Sequence, residues 1–62
     1  MKFVLNMTCD NEAFQPDPRE EVSRILRDIA HQFDRGETAD FFRTIFDLNG
    51  NDVGRFKLIK AD

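Results

Sequence analysis

Apolar and polar residues alternate from Lys2 to Cys9, with Phe3, Leu5, Met7 and Cys9 on one side and Lys2, Val4, Asn6 and Thr8 on the other. That period-2 pattern predicts a half-buried strand. Asp10-Asn11-Glu12 then breaks the alternation with turn-forming side chains. Gln15-Pro16-Asp17-Pro18 prepares a helix, with Asp17 as N-cap, Pro18 at the first helical position and Glu20 three residues beyond the cap. From Pro18 to about Arg35 the spacing changes to three and four residues. Val22, Ile25, Leu26, Ile29 and Phe33 line one face, and Arg19, Arg24, Arg27, Asp28, His31 and Arg35 line the other. This predicts an amphipathic helix about 27 Å long. Gly36 follows as a left-handed stop, with Arg35 complementing the helix dipole in the final turn.

Phe41 to Leu48 and Val53 to Lys60 are rich in β-branched and aromatic residues and flank Asn49-Gly50, which predicts a hairpin. A two-residue Asn-Gly turn would pair Phe42 with Lys57, mixing apolar and charged side chains on one face. A three-residue Leu48-Asn49-Gly50 loop, with Gly50 left-handed as a bulge, instead sets Phe42 opposite Phe56 and Ile45 opposite Val53. On that register Phe42, Phe46, Phe56 and Leu58 face the core. They join Phe3, Leu5 and Met7 beneath the helix.

The expected fold class is therefore α+β: a β-α-β-β chain forming a three-stranded sheet with one amphipathic helix packed on one face. The first two strands run the same way and the third runs against both. Strand order 1-3-2 makes the sheet fully antiparallel, and a right-handed parallel pairing of strands one and two is the alternative. Sixty-two residues are read as one domain, 1–62, with a thin core.

Composition narrows the setting. Cys9 is the only cysteine, so no disulfide forms within the chain, and a reducing, cytoplasmic compartment is expected. The opening Met1 to Met7 run is too short to be a secretory or membrane-spanning segment, so no membrane association is expected. Nine Lys and Arg against twelve Asp and Glu give a formal charge of −3, which argues against binding nucleic acid over the whole surface. Seven Phe with neither Trp nor Tyr suit a core that must bury much area with few residues.

Candidate chemistry is sparse. Asp47-Leu48-Asn49-Gly50-Asn51-Asp52 packs oxygen side chains around a glycine, but Asp52 and Leu58 occupy the positions where a calcium loop needs Gly and Glu. The segment reads as a turn. Cys9 as a nucleophile would need a base, and the single histidine, His31, falls on the polar side of the helix. Glu20 and Glu21 lie in the first helical turn, where negative charge is stabilising in itself. No phosphate loop and no Cys/His cluster of metal-ligand spacing occurs, so no catalytic, metal or cofactor residue is assigned and no small-molecule substrate is expected.

The sheet face turned away from the helix is the most informative feature. By alternation it should carry Val4, Phe41, Arg43, Ile45, Val53, Arg55, Lys57 and Ile59. An apolar patch rimmed by charge marks a protein interface, including self-association to a homodimer. The same side chains are the types that bind single-stranded nucleic acid by stacking and phosphate contact, though one aromatic is a poor platform. Phe41, Arg43, Ile45, Val53, Arg55, Lys57 and Ile59 are thus the expected partner-binding residues, with a protein partner or a second copy favoured over nucleic acid.

Three segments carry a resemblance: Cys9-Asp10-Asn11-Glu12-Ala13-Phe14, then Glu21-Val22-Ser23-Arg24-Ile25-Leu26-Arg27, then Asp47-Leu48-Asn49-Gly50-Asn51-Asp52-Val53-Gly54. Their order and spacing resemble a group of very short, uncharacterised proteins encoded in tailed bacteriophage and prophage genomes. The resemblance spans nearly the whole chain and brings no activity with it. It implies a setting, the bacterial host cytoplasm, where small non-catalytic proteins act by binding a host or phage macromolecule.

Overall fold

A computed structural model describes residues 1–36 and 42–59. Its elements are β1 (Lys2–Met7), a 3-10 turn (Glu12–Phe14), α1 (Pro18–Asp34), β2 (Phe42–Phe46) and β3 (Asp52–Ile59). The three strands form one antiparallel sheet in the order β1-β3-β2, with the single helix against it. This is the α+β architecture expected from the pattern, and the fully antiparallel order is the one formed.

The helix boundaries follow from local chemistry. The Asp17 carboxylate accepts the Arg19 backbone N–H at 3.0 Å, satisfying one of the orphan donors of the first turn, and Pro18 needs no donor there. At the other end Gly36 has φ +73° and donates its N–H to the Phe33 carbonyl at 2.9 Å. A side chain would be strained in that left-handed cap.

Phe14, Ile25, Ile29, Ile45, Val53 and Phe56 form the core, with Leu5, Met7, Cys9, Ala13, Val22 and Phe33 partly buried around it. Phe56 packs against both Phe3 and Phe33, at ring-centroid distances of 6.2 and 6.0 Å. Phe14 is completely buried, although it sits alone among turn residues and no periodicity marked it.

Strand β2 faces the opposite way from the expectation. The loop is the anticipated one: Gly50, at φ +84°, donates to the Asp47 carbonyl, and Asp47 donates to the Asn51 carbonyl. The pairing beyond it is not. Phe46 lies opposite Asp52 but Ile45 lies opposite Gly54, so Val53 is an extra residue in β3, a bulge that turns its side chain into the core. Past the bulge Phe42 pairs with Lys57 and Arg43 with Phe56. Ile45 and Val53 are therefore buried and Phe42 and Phe46 exposed, the reverse of the expected arrangement. One helix about 10 Å wide covers only part of such a sheet. Phe14 and Phe56 are buried in that space with Phe33 partly buried beside them, edge strand β2 contributes the smaller Ile45, and Phe3, expected beneath the helix, is about half exposed. Leu26, expected in the core, is likewise about half exposed.

Candidate interaction surface

Residues paired directly across antiparallel strands share a face, and alternation then assigns the rest. The outer face of the sheet carries Val4, Asn6, Phe42, Thr44, Phe46, Arg55, Lys57 and Ile59. Of the expected contact residues, Arg55, Lys57 and Ile59 lie there, together with Val4, which alternation also placed on this face. Ile45 and Val53 do not, because the bulge and the register bury them. Arg43 is on the helix side, half-buried beside Asp28, Ile29 and Gln32 in the hollow between α1 and β2. Phe41 lies outside the described residues.

Phe42 and Phe46 take the places the pattern gave to their neighbours, and they are 64% and 56% exposed. Phe42 stands opposite Lys57, in a shallow hollow shared with Val4, Asn6 and Arg55. Arg55 is partly neutralised by an exposed 2.6 Å ion pair with Asp52. The surface combines two bare phenylalanines with Val4 and Ile59, and the cationic chains of Arg55 and Lys57 cross it. Only the parity of β2 hid this from the sequence.

A second surface follows the helix. Pro18, Val22, Leu26 and Ala30 make an apolar stripe with Cys9 at its side and Arg19 and Arg27 along its margin. His31 is exposed and does not line this groove with Cys9. Among the described residues no group of three or more His, Cys, Asp or Glu could hold a metal ion. No described helix is long and apolar enough to cross a membrane.

Two carboxylates that the sequence marks only as a first-turn acid and a turn residue, Glu21 and Asp47, are buried. Glu21 accepts from Arg24 Nε and Nη2 at 2.7 and 2.8 Å and from the Leu48 backbone N–H at 2.7 Å, tying the helix to the hairpin loop. Asp47 accepts from the Asn49 and Asn51 backbone N–H groups and from the Asn11 and Asn51 side-chain amides. Their lone pairs are committed to these donors, so both acids serve the fold. The hydrogen-bonded Arg24 guanidinium holds the Glu21 carboxyl below the usual range, against the upward push of burial. Burial also pushes the Asp47 carboxyl up, but the donors from Asn51, Asn11 and Asn49 outweigh it and the net direction is down.

Groups depressed in the folded state contribute stability above their unfolded pKa, and that contribution is lost as pH falls through the folded value. Unfolding midpoints in urea should stay level from about pH 7 to 5 and fall below about pH 4, the ordinary carboxylate range. Glu21→Gln, which loses the charge-assisted bonds, should cost about 1–3 kcal/mol at neutral pH and make the acid limb shallower. An unchanged acid limb in this variant would assign the pH dependence to other carboxylates.

No family model, no curated protein and no solved structure matches the chain. The functional reading therefore rests on the surface chemistry of this molecule.

Proposed function

We propose that this protein is a non-enzymatic interaction module that engages a protein partner through the outer face of its sheet. The observation that carries this reading is the exposure of Phe42 and Phe46 on one face, beside Val4 and Ile59, with Arg55 and Lys57 among them. Exposed apolar area of this kind raises the free energy of the isolated chain, and covering it with a complementary surface recovers that energy. Aromatic side chains ringed by polar groups are also where binding energy concentrates in protein interfaces. The setting we propose, on the segment resemblance alone, is a phage-infected or lysogenic bacterial cytoplasm.

A second reading draws on the position of Phe42 opposite Lys57 and beside Arg55. A ring flanked by cations suits one base and its phosphates in a single nucleic-acid strand. The overall acidic charge and the Arg55–Asp52 ion pair weigh against it.

The test uses the tagged protein as bait in bacterial lysate with and without nuclease treatment, in parallel with a Phe42→Ser/Phe46→Ser variant and a His31→Ala control. Both Phe side chains are already exposed, so the double variant should keep the fold within about 0.5 kcal/mol per site. It should weaken capture by on the order of 30-fold or more, while His31→Ala matches the wild type. Capture that survives the double substitution rules out this face. Capture abolished by nuclease, together with oligo-dT binding that weakens steeply with salt, would favour the nucleic-acid reading.

A further inference from the structure

We propose that the free edge of β1 pairs antiparallel with β1 of a second copy, joining two sheets into one six-stranded sheet. This surface is separate from the outer face, which the pairing would leave open and duplicate. The Thr8 backbone N–H donates to the Val53 carbonyl at 2.8 Å. In an antiparallel ladder the backbone groups of alternate residues point toward and away from the neighbouring strand. Lys2, Val4, Asn6 and Thr8 therefore turn their N–H and C=O groups toward β3, and Phe3, Leu5 and Met7 turn theirs outward. Among the described residues no backbone hydrogen bond reaches this edge.

Exposed edges are normally blunted by proline, bulges, inward charges or very short strands. Edge strand β2 is short and pairs across a bulge. By contrast β1 has no proline and pairs regularly along its length, and its only charged side chain is Lys2 at one end.

A two-fold axis at Leu5 makes this edge complementary to itself. Leu5 meets Leu5 of the second copy, Phe3 meets Met7, and each such pair can exchange two N–H···O bonds, so all three outward-facing residues are used. The same register sets Val4 opposite Asn6, so the faces of the two sheets stay aligned. It also sets Lys2 opposite Thr8 at each end of the junction, where β1 gives way to the following loop. Both helices then lie on one side of the joined sheet. On that side Phe3 and Leu26 are 48% and 47% exposed, and Phe3 contacts Phe33 at a centroid distance of 5.7 Å. Val22, Leu26 and Ala30, on the helix flank opposite the one that lines the β2 hollow, face the second copy.

Light scattering over a concentration series, combined with backbone hydrogen exchange by NMR, tests the pairing. The mass should rise from 7.3 kDa toward twice that value. The Phe3, Leu5 and Met7 amides should become protected in step with it, while Val4 and Asn6 are protected throughout. Chemically synthesised protein with N-methyl-Leu5 keeps the side chain and the β3 ladder but lacks the outward N–H at the axis. It should dimerise on the order of tenfold or more weakly. A mass that stays at 7.3 kDa up to about 1 mM, or a dimer indifferent to N-methylation, overturns the proposal. Protection of the three amides that appears only on adding another protein would also overturn it, assigning the edge to a foreign strand.

Discussion

Phe56→Ala is expected to leave the protein largely unfolded at room temperature. Its ring is 2% exposed and packs against Phe3 and Phe33 in a core of only a few large residues. Truncating a buried phenylalanine costs about 3–5 kcal/mol, the lost transfer energy plus the cavity left behind. A core this small supplies roughly that much net stability in total. Phe42→Ala and Phe46→Ala should each change stability by less than about 0.5 kcal/mol, because both rings already stand in solvent. Circular dichroism with urea titration separates these cases. Similar destabilisation at Phe42 and Phe56 would restore the register in which both face the helix.

Gly54→Ala is the second large effect. A Cβ on Gly54 would fall on the Asn6 carbonyl oxygen and within 2.8 Å of Met7 Cα, both backbone atoms of β1. Neither can move without opening the β1–β3 ladder. The strain should reach or exceed the ~1–3 kcal/mol typical of overpacking, since no flexible side chain can yield. Gly50→Ala meets a different obstacle, because nothing lies within 4 Å of its Cβ position and only the positive φ resists it. Its cost should be about 1 kcal/mol. Equal, small effects at the two glycines would mean that the β1 backbone does not lie against Gly54 as described.

Gly54 also marks where sequence reasoning stopped. Val53-Gly54 reads as an ordinary strand start, and a glycine inside a strand pattern is the one signal that could have suggested a bulge. Without it the register runs one residue out of step. Phe42-Arg43-Thr44-Ile45-Phe46 has apolar residues at both parities, so alternation alone cannot choose its inner face. The interaction surface inherits that ambiguity: Val4, Arg55, Lys57 and Ile59 were legible, and Phe42 and Phe46 were not. Glu21 was hidden for another reason. An acid in a first helical turn looks like dipole complementation, and only the docking of the hairpin loop makes it a buried link to Leu48.

Short-range physics settled much from the chain alone. Alternation marked the first strand, the Asp17-Pro18 cap and Gly36 bounded the helix, Asn49-Gly50 set the loop, and strand directions favoured the antiparallel order. Each depends on residues within a few positions of one another. The inner face of β2, the burial of Phe14, the Glu21 link and the open edge of β1 depend on which groups compete for the limited area one helix can cover. That competition exists only once the sheet and the helix have come together.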